Sequence, residues 1–142
     1  MRRCLGCMQL FSEEYQVCPH CGCIVGQEQM EAFHLKPGTV LNGRYLIGRA
    51  LGYGGFGVTY RAWDLELDRQ VAVKEYFPGE FCTRVPGTEE LSIYEGDRRE
   101  QYEAGRKKFA EEAARQVKLE NIPGIAKVYD TFEANHTAYI IM

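Results

Sequence analysis

Apolar and polar residues alternate along three consecutive stretches in the middle of the chain. These are residues 44–51 (RYLIGRAL), 58–68 (VTYRAWDLELD) and 69–77 (RQVAVKEYF). A period of two is typical of strands with one buried face, and all three stretches are rich in branched and aromatic side chains. We therefore expect three strands, the second and third joined as a hairpin through the turn LELDRQ.

A different period follows. In residues 96–121, Tyr102, Phe109, Ala113 and Val117 recur at spacings of seven, four and four, which places them in one stripe on a helix. The segment is also rich in Ala, Glu, Lys and Arg, which favour helix. We expect one amphipathic helix here.

Two further strands are expected at residues 125–132 (IAKVYDTF) and 137–142 (TAYIIM), with the turn EANH between them. Residues 27–41 hold Gln, Glu and a Pro-Gly pair that interrupt any regular pattern, and they predict a linker. The chain therefore divides into a small module at 1–26, a linker at 27–41 and a larger domain at 42–142.

Composition narrows the class of protein. The 142 residues are 45% hydrophobic and 26% charged, with a net charge of −3, which indicates a globular protein without a large nucleic-acid surface. No apolar run reaches the roughly 18 residues of a membrane span, and the basic start lacks the apolar segment of a signal peptide. We expect a cytoplasmic location.

Five of the six cysteines lie in the first 23 residues, where CLGC and CPHC are separated by ten residues. A C-x-x-C turn can aim two thiolates at one metal, and two such turns complete a tetrahedral shell. A module this short needs a metal to fold, because it cannot bury enough apolar surface. The spacing predicts a zinc ribbon at residues 1–26, with the ligands Cys4, Cys7, Cys18 and Cys21.

Some alternatives stay open for this module. Iron fits the same four-sulfur cage. Cys23 is one thiol too many and is either a bystander or a substitute for Cys21. Disulfides and a thioredoxin-like redox pair fit less well, since the sequence has neither an export signal nor the expected flanking elements.

The stretch LGYGGFGVTY holds three glycines at the spacing G-x-G-x-x-G, namely Gly52, Gly54 and Gly57. A dinucleotide fingerprint would continue into a helix, but here a strand follows. A Walker A loop would end in Gly-Lys-Ser or Gly-Lys-Thr, which is absent. The remaining use is a β-hairpin flap whose glycines let the backbone approach nucleotide phosphates.

With VAVK at residues 71–74 on the next strand, the chain resembles the protein kinase family, and KEYFP resembles a group of bacterial serine/threonine kinases. The resemblance implies an α+β small lobe at residues 42–142, with a five-stranded antiparallel sheet and helix C. It implies that Lys74 pairs with the phosphates of ATP, and that Met142 lies at the back of the adenine pocket. The implied ATP-binding residues are Leu51, Gly52, Tyr53, Gly54, Gly55, Phe56, Gly57, Thr59, Ala72, Lys74 and Met142. Thr59 stands where the family usually has valine.

The family's lysine pairs with a glutamate of helix C. Glu112, directly before the sequence AAR, matches that position best, and Glu111 is the alternative. Both residues also fit an exposed helix face with pairs such as Glu111 to Arg115. The 37 residues between Lys74 and Glu112 are more than the family usually has, and the extra part is residues 76–105. Within it we expect CTRVPG, residues 82–87, to be a plain surface insertion rather than a docking or regulatory loop.

The family's catalytic loop and its magnesium-binding aspartate do not occur in these 142 residues. We therefore expect a fragment, inactive alone, of an ATP-dependent serine/threonine kinase whose missing C-lobe supplies the Mg²⁺ ligands and receives a protein substrate. A pseudokinase or scaffold, in which ribbon and lobe serve binding alone, is the alternative.

Overall fold

The computed structural model describes residues 1–29, 31–54, 56–118 and 127–142, and side chains are described for all of these except residues 117 and 118. Within these residues the chain forms ten strands and one helix. They are β1 (Arg2–Arg3), β2 (Leu10–Phe11), β3 (Val40–Leu41), β4 (Tyr45–Gly54), β5 (Gly57–Asp64), β6 (Arg69–Tyr76), β7 (Cys82–Arg84), β8 (Leu91–Ile93), α1 (Asp97–Lys118), β9 (Asp130–Ala134) and β10 (Thr137–Ile141).

The main sheet has the strand order β3-β4-β5-β6-β10-β9, and β1-β2 and β7-β8 form two small antiparallel pairs. A mostly antiparallel sheet with one helix is the α+β class expected from the sequence. The expected number of five strands is wrong, because Val40 pairs with Leu46 and adds β3 as a sixth strand. The sequence analysis assigned β3 to the linker because a strand of two residues directly after a Pro-Gly turn gives no recognisable strand pattern. The division at residues 26 and 41 stays a prediction.

The last hairpin differs from the prediction in the bounds of its first strand and in the length of its turn. The strand runs over Asp130–Ala134 rather than 125–132, and residues 125 and 126 lie outside the described part of the chain. The turn contains only Asn135 and His136, whose φ angles are 55° and 64°. Two successive positive φ angles define the tight turn that matches strand twist, and asparagine tolerates this conformation well. The four-residue turn EANH was therefore too long.

The structure divides into two compact units, the first comprising Met1–Gly52 with Thr59–Ala72 and the second Tyr53–Val58 with Val73–Met142. In the first unit, alternation on β5 buries Tyr60 and Ala62, as the sequence predicted, together with Tyr45 and Ile47 of β4. The Tyr60 hydroxyl accepts a hydrogen bond of 2.9 Å from the backbone N–H of Leu35. Apolar burial by alternate strand positions thus holds this unit together.

A buried ion pair closes the end of β5 in the first unit. Asp64 is 1% exposed and accepts two 2.9 Å hydrogen bonds from the guanidinium of Arg44. The backbone N–H groups of Glu66 and Leu67 donate to the same carboxylate. The Arg44 guanidinium and these amides hold the pKa of Asp64 down at about 2, against the desolvation that would raise it.

This pKa makes a prediction about acid stability. The folded-state pKa lies below the value of about 3.9 for an unfolded chain, so the carboxylate stabilises the fold above about pH 4. That contribution, on the order of 2 kcal/mol, should be lost as the pH falls from about 4 towards 2. Urea unfolding at several pH values should show Asp64→Asn less stable than wild type near neutral pH, with the difference shrinking in acid. A difference that does not change with pH would contradict this assignment.

In the second unit, α1 contacts β10 and β8. Tyr102, Phe109 and Ala113 are buried, which confirms the predicted stripe for these three residues; the side chain of Val117 lies outside the described part. Tyr76 of β6 packs on this stripe, with ring centroids 5.1 Å from Tyr102 and 5.5 Å from Phe109. Aromatic packing therefore adds to the helix propensity of the segment in stabilising α1.

None of the helices in the described residues is both long and apolar enough to cross a membrane.

Candidate functional site

The four cysteines of the two C-x-x-C turns lie together, with their sulfur atoms all within 4.8 Å of one another. The Sγ atoms of Cys4 and Cys21 are 3.6 Å apart, and those of Cys7 and Cys18 are 3.8 Å apart. A tetrahedral site with Zn–S bonds of about 2.3 Å has sulfur–sulfur edges of roughly 3.8 Å. The donor set and its spacing therefore fit one tetrahedral metal ion.

Backbone amides support two of these sulfurs. Gly6 N–H donates to Cys4 Sγ at 3.3 Å, and His20 N–H donates to Cys18 Sγ at 3.4 Å. Each donor lies two residues after the cysteine, which is what a tight C-x-x-C turn provides. Such outer contacts orient a ligand and stabilise its thiolate form.

The thiols differ in their acidity. Burial raises the pKa of Cys7 to about 12. Burial would also raise the pKa of Cys18, but the N–H groups of Cys21 and His20 donate to it and lower its pKa to about 7. A bound cation would compensate the charge of four thiolates this close together.

The fifth cysteine of the module is not part of this cluster. Cys23 is half-buried and packs against the small core of Cys4, Phe11 and Cys18. His20 is exposed, and its Nε2 lies 3.1 Å from the carbonyl oxygen of Leu10. Of the two open possibilities for Cys23, the geometry favours the bystander.

The glycine-rich stretch lies mostly within strands. Gly52 and Gly54 belong to the end of β4, Gly57 begins β5, and Gly55 lies outside the described residues. The sequence placed all three in a connecting loop, whereas the structure leaves only a short connection. Around it, the side chains of Leu51, Tyr53 and Phe56 are exposed by 53%, 56% and 45%.

Gly57 packs directly onto the chain that follows Lys74. Phe77 N–H donates to the Phe56 carbonyl oxygen at 3.0 Å. The φ angle of Gly57 is 149°, and a Cβ added to it would overlap the Glu75 carbonyl oxygen and lie 2.6 Å from Phe77 N. Only glycine fits this approach.

Lys74 projects from β6 towards the helix. Ala72 and Lys74 are half-buried on one face of β6, and Val73 is buried on the other. Ile140 of β10 pairs with Lys74, and the Nζ atom lies 5.9 Å from the ring centroid of Phe109. The ammonium therefore stands next to α1, one turn before Glu112.

Glu111 and Glu112 are both exposed on α1. Of the ion pairs between described residues, none within 4.0 Å joins Lys74 to either glutamate. Lys74 to Glu112 therefore stays a prediction. So do the roles of Thr59, half-buried on β5, and Met142, half-buried directly after β10.

The sequence did not identify a buried charged cluster beside Lys74. Glu75 is fully buried, and its carboxylate accepts hydrogen bonds from both terminal nitrogens of Arg84, one of 3.0 Å, and from the Tyr139 hydroxyl at 2.7 Å. Arg84 belongs to β7 and is buried, as is Cys82, so the segment CTRVPG is anchored in the structure rather than lying plainly on its surface. An arginine and a glutamate nine residues apart give no local signal of pairing.

Two comparisons with known proteins find similarities. The chain is 31% identical over 107 residues to the probable serine/threonine-protein kinase pknA2 of Bifidobacterium longum (strain NCC 2705); the match covers 75% of this chain and 12% of that protein. The solved structure "PpkA-294 apo form" is 33% identical with a TM-score of 0.70, and the match covers 77% of this chain and 38% of that one. No protein-family model matches. The chain thus spans a small part of the relatives it resembles.

Proposed function

We propose that residues 42–142 are the small lobe of a serine/threonine protein kinase and bind ATP. The observation that carries this proposal is the packing of the glycine turn at Phe56 and Gly57 onto the segment directly after Lys74. A glycine-bearing hairpin and a cationic side chain on the adjoining strand are the parts that hold nucleotide phosphates in this family. The similarity to a bacterial kinase supports the same reading.

Each residue then has a physical task. Glycines at 52, 54 and 57 leave the backbone open to phosphate oxygens, and the half-buried Lys74 offers its ammonium to the α- and β-phosphates. Leu51, Thr59, Ala72 and Met142 surround the adenine in this proposal. Glu112 orients Lys74 once the helix brings the two side chains together.

The remaining parts lie outside the 142 residues. The parent kinase supplies a C-lobe with a catalytic aspartate and Mg²⁺ ligands, and it transfers the γ-phosphate of ATP to serine or threonine of a protein substrate. The chemistry that Mg²⁺ adds is neutralisation of phosphate charge. The lobe alone is inactive because positioning and charge neutralisation need both halves.

The test of this function is Lys74→Met in the longest protein that carries the chain. Removing one preorganised charge from phosphoryl transfer should lower the rate roughly 100-fold or more, by analogy with other electrostatic groups. Lys107→Met, an exposed lysine on α1, is the matched control and should leave the rate unchanged. Phosphate transfer from labelled ATP to a generic protein substrate measures both. An unimpaired Lys74→Met variant would refute this role of Lys74.

A second candidate is a pseudokinase or scaffold. It is favoured by one observation, namely that Lys74 lies beside Phe109 and has no ion pair within 4.0 Å with Glu112 among the described residues. Wild-type protein that binds its partners but transfers no phosphate would select this alternative.

For the four-cysteine cluster we propose a structural zinc ion, with iron as the rival metal. Elemental analysis should find about one zinc per chain. The Cys4→Ser/Cys7→Ser variant should lose it, since two oxygen donors cannot replace two thiolates in this cage. Cys23→Ser is the matched control and should keep the metal, because Cys23 lies outside the cluster. Iron in place of zinc, or zinc retained by the double variant, would contradict the proposal.

A further inference from the structure

The turn between the first two cysteines lies directly on strand β4. Arg49 N–H donates a 2.7 Å hydrogen bond to the carbonyl oxygen of Leu5. A Cβ added to Gly48 would overlap that same oxygen and the terminal methyl of Met8. The backbone at Leu5 therefore contacts the backbone of β4 directly. Met8 is buried, with 2% exposure. We call residues 4–9 the knuckle.

Arg3, directly before the knuckle, links it to β5. The guanidinium carbon of Arg3 lies 3.6 Å from the ring centroid of Trp63, close enough for a strong cation–π contact. The same guanidinium donates a 2.6 Å hydrogen bond to the carbonyl oxygen of Met8. Arg3 thus ties the shape of the knuckle to the outer face of the sheet.

Few hydrogen bonds within the knuckle hold its shape. Met8 N–H donates to the Cys4 carbonyl oxygen, Cys4 N–H donates to the Gln9 carbonyl oxygen, and Gly6 N–H donates to Cys4 Sγ. The small core near it consists largely of the cysteines themselves, with Phe11. In such a module the free energy of metal binding is the free energy of folding. Losing the metal should therefore loosen the knuckle and release its contacts to Gly48 and Arg49.

Strand β4 continues from Gly48 into the proposed nucleotide site. Leu51 is three residues further along, followed by Gly52, and both belong to the same compact unit as the cysteines. Thr59 and Ala72, also proposed to contact the adenine, lie in this unit as well. A shift of β4 at Gly48 is thus transmitted along a continuous strand to residues that would hold the base.

We propose that the metal site has a function beyond folding the module: the metal-bound knuckle clamps β4, so that occupancy of the four-cysteine site sets the affinity for the nucleotide. This rests on the proposed ATP site. Because coupling between two binding sites is reciprocal, bound nucleotide also tightens the hold on the metal. Metal occupancy of the four-cysteine site would therefore regulate the nucleotide site proposed above.

The first test measures the contact between the knuckle and β4 in the absence of nucleotide. Trp63 is the only tryptophan in the sequence, so its fluorescence reports on the Arg3 contact. Stripping the metal with a strong chelator should shift this emission and speed hydrogen exchange of the Arg49 amide about tenfold or more. Restoring zinc should reverse both changes. Unchanged emission and exchange on metal removal would overturn the proposal.

A variant separates docking from metal binding. Gly48→Ala keeps all four thiols but forces the knuckle away from β4, so it should reproduce both changes with about one metal still bound per chain. Val40→Ala, at a 46% exposed position on the neighbouring strand β3, is the control and should behave as wild type. If Gly48→Ala does not fold, Arg3→Met removes the Trp63 contact and the Met8 hydrogen bond without inserting an atom. If the Arg49 amide of the folded variant exchanges at the wild-type rate, the proposed contact of the knuckle with β4 is contradicted.

The second test measures ATP with Mg²⁺ by calorimetry in the longest protein that carries the chain. Metal removal and Gly48→Ala should each weaken binding about tenfold, within the roughly 5- to 150-fold range of such coupling. An unchanged affinity would overturn the coupling while leaving the ATP site intact. If the metal-loaded protein binds no ATP, the proposed nucleotide site itself fails, and the coupling fails with it; the Trp63 and Arg49 measurements show whether docking still holds.

Discussion

Replacing Gly57 by alanine should destabilise the protein by about 3 kcal/mol, summing a strained backbone and overpacking. The φ angle of 149° is one that alanine rarely adopts, and the new methyl would overlap the Glu75 carbonyl oxygen. The neighbour is backbone within the main sheet, so it cannot move aside cheaply. Urea unfolding, followed by circular dichroism, measures the loss.

The matched control for this variant is Gly54→Ala. An added Cβ at Gly54 has no heavy atom within 4 Å, and its φ angle is not in the positive range. Its stability should stay within about 1 kcal/mol of wild type. If the two variants unfold at the same urea concentration, the close approach of Gly57 to β6 does not exist in solution.

The close packing of Gly57 on β6 is a structural reason for glycine at this position, and the sequence pattern did not suggest it. The G-x-G-x-x-G spacing predicts contact with phosphate, because glycine has no side chain that would clash with the ligand. In the structure, Gly57 is also required by its own protein, since it packs on the backbone after Lys74. Loss of nucleotide binding in a Gly57 variant would therefore not by itself demonstrate a phosphate contact, and its unfolding must be measured alongside.

Replacing Arg84 by methionine should cost about 3–5 kcal/mol, the usual penalty for breaking a buried ion pair by removing one partner. The variant leaves the Glu75 carboxylate, which is fully buried, without its guanidinium. Removing both charges in Glu75→Met/Arg84→Met should recover much of the loss, because the desolvation cost of the pair disappears as well. Denaturant unfolding of the two single variants and the double variant gives the coupling between them.

A surface ion pair provides the comparison. Arg106 contacts Glu103 and Glu133 at 3.5 Å each, and all three side chains are at least 28% exposed. Arg106→Met should therefore cost no more than about 1 kcal/mol. An Arg84→Met variant no less stable than Arg106→Met would mean that the β7-β8 hairpin is not anchored to β6 through Glu75.

The order of elements around the candidate site could be predicted because it depends on local patterns. Alternation identified β4, β5 and β6, and the seven-four-four spacing of Tyr102, Phe109, Ala113 and Val117 identified α1. The errors occurred where the local signal is short: β3 has two residues, and the turn has only Asn135 and His136. In such places pairing with a neighbouring strand decides the structure.

The sequence alone determined the two sets of groups that carry chemistry, namely four thiols in two C-x-x-C turns and a strand–glycine–strand–lysine order, because each depends on residues close together in the chain. Tertiary structure decided which groups meet. It set Cys23 outside the four-cysteine cluster, placed Lys74 beside Phe109, buried Arg84 against Glu75 and laid Leu5 on Gly48. These contacts join residues from separate segments, and their energies come from burial and packing that no local pattern records.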